Sequence, residues 1–192
     1  MLDFSHVFLA FPMLETARFR LRAMHEDDAP AIFRIMSDER VTRYFGSPPM
    51  TDPAAASRRV QRTQEAFAAQ RGIRWAIVPR EGGEFIGSCG FWRLVPEHHR
   101  AEIGYELAPE WWGQGVMSEV LAIIVAYGFG TMRLHSAEAQ IHPDNIGSRR
   151  VLEKVGFVQE GYFRQSFYEP HRGEFTDAAV FSLLASAWQP PA

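Results

Sequence analysis

The chain has 192 residues, 46% apolar and 22% charged, with a net charge of −3 at pH 7. That composition excludes a disordered segment and suits one globular domain large enough to bury its own core. The mild negative charge gives no global attraction for nucleic acid or an anionic membrane, and the one cysteine, Cys89, excludes an intrachain disulfide.

The opening MLDFSHVFLAFP lacks the basic n-region of a secretory leader and carries Asp3 and His6 where one would be apolar. The longest later apolar run, residues 120–126, is far short of the ~20 residues a membrane helix needs, so a cytoplasmic location is expected. Charged and apolar residues alternate over residues 18–24, predicting a half-buried strand. Acidic residues then precede Pro30, and Ile32, Ile35 and Met36 follow at helical spacing. A second helix is expected over 51–70, capped by Thr51 or Asp52 with Pro53 in its first turn, and with Arg58, Arg59 and Arg62 on a solvated face.

Strands over 73–79 and 84–92 flank REGG, a hairpin turn, and a third strand covers 99–108. A long helix is predicted from about residue 113 to 129, with Val116, Val120, Ile123, Ile124 and Tyr127 on one face. A strand over 133–142 and a short amphipathic helix in DNIGSRRVLEKV follow, the latter stopped by Gly156. FVQEGYFR and DAAVFSLLA complete the strands. Neither Pro48-Pro49 nor the closing QPPA divides the chain, so residues 1–192 read as one domain. Successive strands without helices imply antiparallel pairing, and the later strand–helix–strand unit implies a parallel crossover. The expected fold is therefore α/β: a mixed, predominantly antiparallel sheet with helices on both faces.

One stretch carries chemistry. In APEWWGQGVMSEV a strand yields to a helix at Gly113-Gln114-Gly115. A helix start has amide N–H groups without internal partners and the positive end of the dipole, so it favours phosphate. Glycine allows close approach of an anion and positive φ. The turn has neither the lysine of a P-loop nor the three glycines of a dinucleotide fingerprint, and it suits a diphosphate held by main-chain amides.

The stretch Trp112 to Met117 resembles motif A of the GCN5-related N-acetyltransferases, Q/R-x-x-G-x-G/A, with Gly115 at the central glycine and departures at Trp112 and Met117. Asn145 to Phe157, NIGSRRVLEKVGF, is similar to the N-x-x-S-x-x-V-L-x-K-x-G-F segment of the ribosomal-protein N-terminal acetyltransferase (RimJ/RimL-like) branch. LETARFRLRAMHEDD resembles that branch's opening, and W-G-x-G is its form of motif A. The likeness spans about residues 14–184.

The resemblance implies acetyl-CoA as co-substrate and direct transfer of an acetyl group to a primary amine, expected to be the N-terminal α-amine of a protein or peptide. A small amine (polyamine, amino sugar or amino acid) is the alternative acceptor, and a CoA-binding module without turnover a third reading. The implied cofactor site comprises Leu107, Ala108, Trp112, Gly113, Gln114, Gly115, Val116, Met117, Ser118 and Asn145. A protonated amine must lose a proton before it attacks. Glu102 and Glu106 lie four apart on one strand, whose period of two places both on one face; Glu102 is the preferred base, although it reads equally as a solvated or salt-bridged carboxylate, and Glu106 is the second candidate. Other branches place a tyrosine at the position of Leu152, which leaves Ser148 to serve the departing thiolate, although a serine there also suits a cap. Asp144 and Asn145 are natural helix caps as well. Trp111 and Trp112 are expected to wedge into the core beneath the turn. The histidines at 98, 99, 135 and 142 complete no zinc-site spacing, so no metal is expected. A monomer and a homodimer remain equally open.

Overall fold

The computed structural model describes residues 2–189; the proline pair of the closing QPPA lies outside them. In chain order the regular elements are β1 (Leu14–Glu15), β2 (Phe19–Arg22), α1 (Ala29–Met36), α2 (Glu39–Thr42), α3 (Ala54–Ala68), β3 (Ile73–Pro79), β4 (Gly87–Val95), β5 (Arg100–Leu107), α4 (Val116–Gly130), β6 (Ser136–Ile141), α5 (Ile146–Val155), β7 (Val158–Glu169) and β8 (Glu174–Leu184). The strands form one eight-stranded sheet in the order β1-β2-β3-β4-β5-β6-β8-β7. Every neighbouring pair is antiparallel except β5–β6, the pair that α4 connects. The mixed sheet with one parallel crossover is as the sequence implied.

Side-chain alternation assigns the two faces. Trp75, Ile77, Cys89, Phe91, Ile103 and Leu107 pack with Val116, Val120, Leu121 and Ile124 of α4 and Leu152 of α5. On the opposite face Ala76 joins Ile32 and Ile35 of α1 and Ala56 and Val60 of α3. Each fully buried aliphatic side chain contributes about 1.5–3 kcal/mol, so both helical layers are held mainly by these stripes. Burial pushes the Cys89 thiol up to about 12, and it behaves as a core residue.

Several boundaries differ from the sequence reading. The long helix begins at Val116, three residues later than expected, because Gly113 and Gly115 have φ +73° and +74°. Such angles cannot continue a right-handed helix. Strand β7 extends to Glu169, where FVQEGYFR ended at 164, since its ladder with β8 resumes after an irregularity between Phe163 and Phe167. The helix over 51–70 shortens to Ala54–Ala68, with the Asp52 carboxylate accepting from Ala54 N–H at 2.9 Å. Arg59 is not part of a solvated stripe; it turns inward to the sheet, as described below.

Candidate active site

Strands β5 and β6 pair only through Arg100↔Ser136, Ala101↔Ala137 and Glu102↔Glu138, then separate. β5 continues to Leu107 and β6 to Ile141 without bridging each other. The resulting gap opens a cleft of ≈1560 Å³. The glycine turn lines one end, Glu102 to Leu107 and Ala139 to Ile141 the middle, and Arg40 to Phe45 of the α2 region with His171 and Arg172 of the β7–β8 turn the far end. Its volume exceeds the roughly 300–1,000 Å³ of a single small-ligand pocket, which suits two substrates meeting in it.

At the near end the backbone turns twice through the left-handed region, at Gly113 and Gly115, before α4 begins. None of the six consecutive N–H groups from Gly113 to Ser118 donates a hydrogen bond among the described residues; the first helical bond is Glu119 N–H to the Gly115 carbonyl at 3.1 Å. A methyl built on Gly113 would meet nothing within 4 Å, and one on Gly115 only the tip of Arg18 at 3.9 Å. The corner is open on the side an anion needs. Arg18, which the sequence reading passed over, adds a cation there: its guanidinium donates to the Gln114 carbonyl at 3.1 Å and to Glu119 at 2.7 Å. Unpartnered amides, a helix start and an arginine together fit the diphosphate of a nucleotide.

Trp112 does not wedge into the core. It is 45% exposed, while Trp111 packs against both core clusters. The Trp112 indole donates to the Leu107 carbonyl at 2.8 Å and pins the turn to the end of β5. That bond uses one acceptor site of the Leu107 carbonyl, in the stretch expected to meet the cofactor. Ala108 likewise donates to Ile86 and accepts from Trp111. Main-chain groups facing the gap therefore lie upstream, on Ile103 to Glu106, where alternate residues of a strand point away from its β4 partner. The side chains of Val116 and Met117 are buried, so those residues offer the cleft their amides.

The two carboxylates of β5 share a sheet face and differ in environment. Glu102 is 9% exposed and has one partner, Arg93 at 3.0 Å, whose own side chain is 60% exposed. Arg93 reaches it from the irregularity between Trp92 and Val95 in β4, where its backbone takes φ +45°. Burial raises the Glu102 carboxyl above the usual carboxylate range, Arg93 opposes this, and nearby Glu138 reinforces it. Glu106 is buried and held on three sides, by Arg59 at 2.9 Å, Arg74 and the Ser88 hydroxyl. Burial alone would raise its carboxyl; the two guanidiniums and Ser88 outweigh this and hold it low. A carboxylate that is raised and lightly paired makes the better proton acceptor, and one clamped between two arginines a poor one. Geometry favours Glu102.

Across the gap, the Asn145 side chain accepts from Ser148 N–H at 3.1 Å and caps α5. This is the cap reading the sequence offered for Asn145, and it leaves the side-chain NH2 without a partner among the described residues. Ser148 lines the cleft; its hydroxyl has no partner among the described residues, while its carbonyl accepts from the Tyr105 hydroxyl at 3.3 Å. Burial raises the Tyr105 phenol, which stays protonated and ties α5 to β5. Only the fold shows what Tyr105 anchors.

Residues 18–158 match the family model described as Acetyltransferase (GNAT) domain. The chain belongs to the GNAT acetyltransferases. Acetyl-CoA is the co-substrate of this family, and the glycine turn fits its diphosphate. The protein is 42% identical over 174 residues to "Uncharacterized N-acetyltransferase YoaA" of Bacillus subtilis (strain 168), a match covering 91% of this chain and 97% of the relative. It is 26% identical over 185 residues to the [Ribosomal protein uS5]-alanine N-acetyltransferase of Escherichia coli (strain K12), covering 92% and 93%. A crystal structure of a GNAT-family acetyltransferase from Bacillus anthracis superposes with a TM-score of 0.81 at 26% identity, covering 91% of this chain and 99% of that one. No helix among the described residues of this GNAT acetyltransferase is long and apolar enough to cross a membrane.

Proposed function

We propose that this GNAT acetyltransferase acts as a single cytoplasmic domain that acetylates the N-terminal α-amine of a protein or peptide by direct transfer, with Glu102 as the proton acceptor. The observation that carries the reading is the parting of β5 and β6 at Glu102: it puts a lightly paired, raised carboxyl on the wall of a cleft whose near end presents six amides without a partner among the described residues. Acetyl-CoA supplies the activated thioester carbonyl. Gly113 to Ser118 hold the diphosphate, with Arg18 beside them, and the backbone of Ile103 to Glu106 offers the donors and acceptors that an extended amide-bearing arm would pair with. Glu102 takes the proton that the ammonium must lose before its nitrogen can attack, directly or through one water. The hydroxyl of Ser148, a residue that lines the same cleft and whose hydroxyl has no partner among the described residues, offers a hydrogen bond to the departing sulfur.

The peptide acceptor is supported by the size of the cleft, whose lining includes Arg40–Phe45, His171 and Arg172, and by the ribosomal-protein alanine in the name of the 26% identical Escherichia coli relative. Incubating the protein with acetyl-CoA and a panel of peptides, polyamines and amino sugars, and measuring free thiol, tests it. Thiol release with peptides is the expected result; release with polyamines or amino sugars alone overturns the assignment of acceptor.

A further inference from the structure

A second cavity, of ≈500 Å³, lies between α3 and the strands β3 and β4. Arg58, Arg59, Arg62, Arg71 and Arg74 line it, and no carboxylate does. Arg59, Arg74 and Trp92 line the main cleft as well, so the two spaces share a wall beside Glu102. The surrounding carboxylates do not balance the charge. Glu106 serves both Arg59 and Arg74, and Asp52 serves Arg58, so five guanidiniums less two carboxylates leave +3. Arg62 and Arg71 have no ion pair among the described residues.

Unspent donors collect at the shared wall. Arg59 Nε is buried without a hydrogen bond. Arg74 gives Nε to Ser88 and Nη2 to Glu106, which leaves Nη1. The indoles of Trp75 and Trp112 donate to Pro12 and Leu107, whereas Trp92 Nε1 has no acceptor among the described residues. Arg74 Nη1 and Trp92 Nε1 both lie over Gly104, the residue between Glu102 and Glu106 on their face of β5: a methyl built there would stand 3.6 and 3.7 Å from them. A side chain at that position would fill the space in which these donors converge. Arg59 Nε is the buried one of these donors, and Trp92 is 42% exposed. A buried donor without a partner is costly, and clustered like charges repel, unless an anion satisfies both. The guanidinium fork matches a carboxylate or a phosphate.

We propose that this arginine-lined cavity is an acceptor subsite for an anionic group, so that the amine acetylated carries a carboxylate or phosphate close to its nitrogen. The proposal rests on the reading that the acceptor amine meets Glu102. It disfavours polyamines and other polycations. An acidic side chain near a peptide N-terminus and the anionic group of a small amine present the same chemistry, and matched acceptors separate these sources.

The test measures thiol release at saturating acetyl-CoA for pairs differing only in charge: Ala-Asp-Asp against Ala-Asn-Asn peptides, alanine against alanine amide, and phosphoethanolamine against ethanolamine. The anionic member of at least one pair is expected to show kcat/KM about tenfold or more above its neutral counterpart, the worth of one charge-assisted hydrogen bond. Replacing the exposed Arg62→Gln and Arg71→Gln together should erase most of that difference, leaving the neutral member's rate and acetyl-CoA affinity unchanged. Equal rates within every pair, or a preference that survives the double substitution, overturns the subsite. If acetyl-CoA binds but no acceptor reacts, the transfer reading fails instead. Calorimetric titration of the same pairs into the CoA complex then decides the subsite: tighter binding of the anionic member supports it, and equal binding overturns it.

Discussion

Substituting Glu106→Gln separates a structural carboxylate from a chemical one. The substitution keeps the shape and removes the charge that Arg59 and Arg74 share. Removing one partner of a buried ion pair costs about 3–5 kcal/mol. The Glu106 side chain is 1% exposed, but the two guanidiniums are 24% and 22% exposed, so water can reach them and the lower end applies. At about 3 kcal/mol, and about 2–4 °C per kcal/mol for a domain of this size, Tm should fall by roughly 6–12 °C. Glu102→Gln removes a partner of the largely exposed Arg93, and such pairs are worth about 0–1 kcal/mol, so Tm should move by no more than about 4 °C. The pH dependence adds a sign check. Glu106 is held below its usual value of 4.5, so its stabilisation is present above that pH and is lost as pH falls through the lower, folded value. The gap in Tm between wild type and Glu106→Gln should therefore narrow as pH falls below 4.5. Thermal unfolding by circular dichroism at pH 7 and pH 4, with initial rates on the same preparations below both transitions, measures all of this. A Glu106→Gln protein that keeps its Tm but loses turnover would refute the reasoning and move the proton acceptor to Glu106.

Glu102→Gln should lower kcat by about 10²–10⁴ with acetyl-CoA affinity unchanged, as expected for loss of a general base; a wild-type rate would remove Glu102 from the chemistry. Because Glu102 must be ionised and its carboxyl is raised by burial, kcat/KM in the wild type should fall with decreasing pH at a point above the ordinary carboxylate range, and Glu102→Gln should lose that limb. Gly115→Val should abolish acetyl-CoA binding by calorimetry, since a branched side chain at φ +74° is strained and would cover the free amides; retained affinity would show that the diphosphate lies elsewhere. Ser148→Ala should slow turnover without weakening acetyl-CoA binding, and an unchanged kcat would leave the hydroxyl without a role.

Much of the fold was legible because apolar runs bounded by glycine, proline and charged turns mark each element from β3 through α5. The glycine turn was legible from two residues, and both Gly113 and Gly115 take the positive φ that their type allows. What the sequence hid are contacts between distant segments. Arg18 reaches the turn from 96 residues away along the chain. Arg59 belongs by helical spacing to a solvated face, yet it bends down to Glu106 because Ala56 and Val60 bring that part of α3 onto the sheet. The different fates of Glu102 and Glu106 could not be read from a shared strand face, because one is decided by an irregularity in β4 and the other by two arginines on separate elements. Asn145 carried two readings, and the cap took its oxygen.

Anchoring of the co-substrate diphosphate at the start of α4 is tested most directly by following backbone amide resonances in ¹H–¹⁵N spectra during a titration with CoA. At saturation the amides of Gly113 to Ser118 should move downfield together as they gain charged acceptors. Saturable binding that leaves those resonances in place would contradict it.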